Sequence, residues 1–271
     1  MLKVSKPPMT APMIVIAGAE GAGKTTLAAQ FPKPVFIQAE TVSDTFDNWD
    51  EADCPDVLEP LRPSTIREPE APMNSLMGQI DSLIDEEHDY KTCVIDSAST
   101  LHKMLEIQLC NMYGVTNVAE AAGGYGKYAF ELQKMHMEVI EGLKELRNVR
   151  NMSIVVLCHL EIQQLKQRPD GDPVVAFGLD MEKKSAAVWR QQFSSVMAIR
   201  MDEYIKGAER DRKGAITRSG RAVMSGDRYL VTDSSTVGYG FLCKNRWDLE
   251  AQIRLHADSN PLLDLIPYFS N

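Results

Sequence analysis

Residues 18–25 read Gly18-Ala19-Glu20-Gly21-Ala22-Gly23-Lys24-Thr25, the spacing G-x-x-x-x-G-K-[ST]. Glycines at such positions let successive backbone N–H groups turn into one concavity, and a helix starting there adds the positive end of its peptide dipoles. Phosphate groups are what that concavity fits. Lys24 would then reach the β- and γ-phosphates of a nucleoside triphosphate, and the Thr25 hydroxyl would sit on Mg²⁺. Glu20, Gly21, Ala22 and Thr26 complete the lining of the same turn. The context agrees: an apolar run, Met13 to Ala17, leads in, and a helix-compatible run, Thr26 to Gln30, leads out.

Three more strand-like runs end in groups that could act on a bound triphosphate. Thr92-Cys93-Val94-Ile95-Asp96 places a carboxylate at a buried strand end, the usual carrier of a Mg²⁺-holding Asp, about 70 residues after the loop. Val35-Phe36-Ile37-Gln38-Ala39-Glu40 presents Glu40 where a base or water-positioning group is needed, although a solvated strand end reads the same way. Ser153 to Cys158 ends at His159, which could hydrogen-bond the γ-phosphate or be structural.

The elements that must position these groups alternate. Strands are predicted at 13–17, 34–39, 91–96, 153–158, 195–200 and 239–243, and helices at 24–31, 73–86, 98–113 and 127–147. Such alternation predicts an α/β fold with a mostly parallel central sheet covered by helices on both faces. Residues 1–11 read as a flexible lead. The stretch 41–72, acidic and proline-containing, reads as an irregular excursion with one short strand near 57–61. Between 202 and 243 the pattern changes to hairpins (202–205, 229–232, 239–243), a β-hairpin extension of a core spanning 12–250. Residues 251–271 form a tail, unusually apolar for a terminus from Asn260 to Phe269, that docks on its own core or on a neighbour.

Composition sets limits. With 44% hydrophobic residues in 271, a sizeable core is affordable, and no apolar run reaches the roughly 18–20 residues of a membrane span. Five cysteines, an odd number without metal-ligand spacing, predict free thiols and a reducing, cytoplasmic setting. The net charge of −9 argues against a chain that coats nucleic acid with its whole surface. Residues 160–222 nevertheless carry 12 Lys/Arg against 9 Asp/Glu, a zone compatible with nucleic acid or with ordinary solvated charge.

Taken in order, GAEGAGKT, FIQAE, CVIDS, VVLCH and CKNR resemble the RecA-like P-loop NTPases, over roughly residues 12–250. The resemblance is greatest to the small phage-encoded RecA-fold ATPases (AAA-type phage nucleotide-binding proteins) found beside recombination genes, which act with single-strand-annealing and single-strand-binding proteins. It implies ATP and Mg²⁺ as cofactors, single-stranded DNA and other copies of the chain as partners, and annealing or strand exchange in the host cytoplasm. Glu40 inherits activation of the attacking water, and His159 matches the polar group ahead of a DNA-binding loop. Lys244 and Arg246 match paired cations that reach the neighbouring subunit's nucleotide, although an exposed basic pair on an edge strand is common. Two segments take the place of the DNA loops: 121–127, with Tyr125 and Lys127, which also reads as a helix-entry turn, and 163–184, with Lys166, Arg168, Phe177, Lys183 and Lys184. Arg210, Arg212, Lys213, Arg218 and Arg221 form a further basic surface, and Phe46 and Trp49 are candidates to stack on adenine. An alternative function is a nucleotide-gated adaptor that loads a replication or packaging partner and hydrolyses slowly; a third uses ATP only as structural glue.

Overall fold

The computed structural model describes residues 8–40, 45–165, 174–206, 209–210, 216–218, 221–233 and 240–270. In chain order the elements begin with β1 (Met13–Gly18), α1 (Lys24–Ala29), β2 (Pro34–Gln38), β3 (Asp56–Val57), α2 (Ala71–Asp85), β4 (Thr92–Asp96) and α3 (Ala98–Tyr113). They continue with α4 (Tyr128–Arg150), β5 (Ser153–Cys158), β6 (Leu160–Leu165), β7 (Val174–Leu179), α5 (Lys183–Gln192), β8 (Ser195–Lys206), β9 (Glu209–Arg210) and β10 (Ile216–Arg218). The last are β11 (Arg221–Val231), β12 (Gly240–Phe241), β13 (Gln252–Leu255) and α6 (Leu262–Leu265), with a 3₁₀ turn at Val118–Gly123.

Eight strands form one sheet in the order β13-β11-β8-β1-β5-β4-β2-β3. From β8 to β3 every neighbour is parallel; β11 and β13 add antiparallel pairs at the other edge. The apolar runs of β1, β4 and β5 are buried along their whole length, as a parallel strand covered on both faces requires. Alternation sends Val15, Ile37, Ile95 and Val156 to a core shared with Leu76, Leu105, Leu143 and Trp189 of α2 to α5. Ile16, Phe36, Val94 and Leu157 go to the opposite core, against Leu27 and Ala28 of α1. This is the mostly parallel, helix-flanked α/β sheet that the alternation predicts.

The antiparallel hairpin strands expected after residue 200 are present: β8 runs on to Lys206 and pairs antiparallel with β11, both within the main sheet. A register shift between Met224 and Arg228, at Gly226 with φ 87°, lets the long pair twist. Two details differ from the sequence reading. The run at 239–243 supplies β12, which joins a second sheet, β12-β7-β6. The segment 163–184 is not one free loop: β6 and β7 are an antiparallel pair, and α5 begins at Lys183. The hairpin's tip, with Lys166 and Arg168, lies outside the described residues, as do Arg212 and Lys213.

The C-terminal residues pack on their own core. Leu262 and Ile266 are fully buried, and the Phe269 ring meets Phe31 edge-on at 5.6 Å. A polar seam ties α3, α4 and α5 together. Trp189 Nε1 donates to His136 Nδ1 at 3.1 Å, and His136 Nε2 lies 2.9 Å from His102 Nδ1. Burial, with His102 adding to it, pushes the His136 pKa down to about 3, so its ring is neutral.

Candidate active site

The C-terminal ends of β1, β2, β4 and β5 lie side by side, and each delivers one of the groups singled out above. Positive φ at Gly21 (69°) and Gly23 (88°) turns the loop after β1 in a way that side chains resist, which is why glycine stands there. Within the loop, Lys24 is 6% exposed and donates to the carbonyls of Gly18 (3.1 Å) and Ala19 (2.9 Å). Burial lowers its pKa, and the charges of Asp96 and Glu40 oppose that shift. A buried ammonium resting on main-chain carbonyls has its charge free to exchange them for phosphate oxygens.

The Thr25 hydroxyl donates to Asp96 Oδ2 at 2.7 Å, so the hydroxyl and carboxylate expected to hold Mg²⁺ are already together. Burial pushes the Asp96 pKa up to about 6, Thr25 opposes this, and the nearby Glu40 charge adds to it. A divalent cation would relieve that destabilised charge, so the residues fit the metal.

Glu40 is fixed beside Asp96 by backbone: the amides of Ala39 and Glu40 both donate to Asp96 O, at 2.9 and 3.1 Å. Its side chain accepts from Thr100 Oγ1 at 3.3 Å and stands 3.5 Å from His159 Nε2. His159 keeps the Glu40 carboxyl well below the usual carboxylate range, outweighing the upward push of burial. The other ring nitrogen, His159 Nδ1, is 3.5 Å from Lys24 Nζ. Glu40, His159 and Lys24 therefore form one contiguous set.

Supporting hydroxyls were not evident from the strand-end pattern. Ser97 caps α3, accepting from the Thr100 amide at 3.3 Å and donating to its hydroxyl at 3.1 Å. Ser99 Oγ accepts from the His159 amide at 3.0 Å. The run Ser97-Ala98-Ser99-Thr100, a cap residue at a strand-to-helix junction, is the signal that finds the first of these.

The remaining predicted residues sit elsewhere. Lys244 pairs with Val196 in the sheet and sends Nζ to the carbonyls of Arg190 (3.0 Å), Gln191 (2.9 Å) and Phe193 (2.5 Å) at the end of α5. That end precedes β8, at the far end of the sheet from the loop, so within its own chain Lys244 caps a helix C-terminus. Arg246 is exposed. Phe46 is buried between Phe36 and Trp49, with ring centroids at 5.9 and 5.1 Å, so it fills the core and is not free to stack on a base. Tyr125 is fully exposed on its glycine-flanked turn. Phe177 stacks on Phe241, and Lys184 lies over the Phe130 ring.

A glycine-shaped phosphate loop, a hydroxyl–carboxylate pair for Mg²⁺ and a second carboxylate held ionised beside them define a P-loop nucleoside-triphosphatase site. The chain belongs to the AAA domain family AAA_24, whose profile it matches over residues 10–231. Among curated proteins no sequence matches it. A crystal structure of the RadB recombinase is a solved structure with some likeness, at 14% identity and a TM-score of 0.47, covering 92% of this chain and 90% of that one. Among the described residues no helix is long and apolar enough to cross a membrane.

Proposed function

We propose that the protein binds and hydrolyses ATP with Mg²⁺, and that it does so as an oligomer on single-stranded DNA during phage recombination. The observation that carries the hydrolytic reading is the pair of contacts by which His159 joins Glu40 to Lys24 beside Asp96. Lys24 would leave the Gly18 and Ala19 carbonyls for the β- and γ-phosphates. Thr25 directly, and Asp96 through water, would hold Mg²⁺, which supplies charge neutralisation at the phosphate oxygens. Glu40, ionised and fixed by the Asp96 carbonyl and Thr100, would align the attacking water and accept its proton.

His159 touches both the phosphate-binding cation and the proposed base, and β6 begins at the next residue. That continuity supports a link between nucleotide state and the β6–β7 hairpin, and through it DNA. Tyr125 supports a stacking contact with single-stranded bases. The exposed Arg246 is the group left free to reach a neighbour's nucleotide. The test is steady-state ATPase with and without single-stranded DNA at low salt, where the DNA-dependent reading expects stimulation.

The internal contacts of Phe177 and Lys184 favour the second reading, a nucleotide-gated adaptor with slow turnover. That reading expects hydrolysis to respond to a protein partner and not to DNA.

A further inference from the structure

On the opposite side of the phosphate loop from Asp96 and Glu40 stands a cation that no motif announces. In the sheet order, β5, β4 and β2 lie to one side of β1, and β8 and β11 to the other. The carboxylates come from the first side; Arg228 comes from β11 on the second. Its strand partner in β8 is Met201, two residues beyond the Ile199 that pairs with Gly18, so Arg228 stands past the end of β1, at the level of the loop. There its guanidinium covers Gly23: a β-carbon on that glycine would collide with Arg228 Nη1. The half-buried guanidinium makes no hydrogen bond or ion pair among the described residues. Thr26, Gln30, His256 and Ala257 line the crease beside it. Gln30 donates to Ala257 O at 2.7 Å, while its own Oε1 is buried with no partner among the described residues.

We propose that Arg228 is a nucleotide-binding residue, its guanidinium clasping the phosphate nearest the nucleoside while the nucleoside leaves the loop along the Gln30–His256 crease. A triphosphate lying across the loop must point its terminal phosphate at Glu40 and Asp96, so its proximal end faces Arg228. An unpaired guanidinium fork held over a phosphate-binding turn is matched by two phosphate oxygens, which a single-point ammonium meets less well. The unsatisfied Gln30 oxygen is an acceptor for a ribose hydroxyl or base amino group at the same place. The contact is with a part shared by ATP and ADP, and it serves affinity, not the chemical step.

This inference rests on the phosphate-loop reading, and the experiment separates the two. Equilibrium binding of fluorescent ATP and ADP analogues with Mg²⁺ is measured for the wild type, Arg228→Ala and Arg228→Lys, together with ligand-free melting temperature. Wild-type protein that binds neither nucleotide overturns the nucleotide-binding reading itself. With wild-type binding established, Arg228→Ala should weaken ATP and ADP by the same factor, about 10-fold or more, with Arg228→Lys in between and ligand-free melting unchanged. Unaltered affinity for both nucleotides, or a loss confined to ATP, overturns the assignment of Arg228.

Discussion

His159 Nε2 lies 3.5 Å from Glu40 Oε1, so the end of β5 holds the carboxylate carried just beyond β2. The ring keeps Glu40 ionised and aimed, while its other face meets Lys24. His159→Ala should leave ATP affinity within a few-fold and lower turnover by about 10- to 100-fold, a loss in kcat and not in KM. Steady-state kinetics check this; equal activity of the two proteins contradicts a positioning role.

Lys244 and Arg246 separate by experiment although they are two residues apart. Lys244 caps α5 through three carbonyls, so Lys244→Ala should destabilise the fold by about 1 kcal/mol in urea denaturation. Arg246→Ala should leave stability unchanged and suppress hydrolysis. Mixing Arg246→Ala with Lys24→Ala protein should restore part of the activity, because intact loops then meet intact arginines. No restoration contradicts a site shared between copies.

How much of this was legible in sequence depends on whether a residue acts locally. The phosphate loop, Asp96, Glu40 and His159 all follow apolar runs on adjacent parallel strands, so strand ends alone predicted their meeting. Arg228 was invisible because its approach to Gly23 depends on β11 folding back beside β8 with a register shift at Gly226, a long-range event no local pattern encodes. Phe46 was misassigned for a similar reason: an aromatic in an irregular stretch reads as available until Phe36 and Trp49 are seen to enclose it. The β6–β7 pair, read as loop, sits among prolines, glycine and charges whose local preference favours a turn.

Tyr125 offers its whole ring to solvent from a turn with glycines on both sides. If single-stranded DNA is the partner, Tyr125→Ala should weaken it by about 10-fold at low salt, the usual worth of one base stack, without altering DNA-free hydrolysis. Fluorescence anisotropy with a labelled oligonucleotide measures it.

His136 makes stability pH-dependent. Its folded pKa of about 3 lies below the unfolded value, so the unfolded chain binds the extra proton between about pH 6.5 and 3. Stability should therefore fall as pH drops through that window, with His136 contributing a slope of at most about 1.4 kcal/mol per pH unit. His136→Gln should flatten the profile by that one-proton slope in urea titrations from pH 7 to 4; parallel profiles contradict a neutral buried ring.

The central claim is that Glu40 acts as the base on a nucleotide held by the loop. The direct test is a single-turnover assay of phosphate release from Mg-ATP by wild type and Glu40→Gln, with nucleotide binding measured on the same samples. Binding should be unchanged and release slowed by at least about 100-fold. Release at the wild-type rate from Glu40→Gln would contradict that claim.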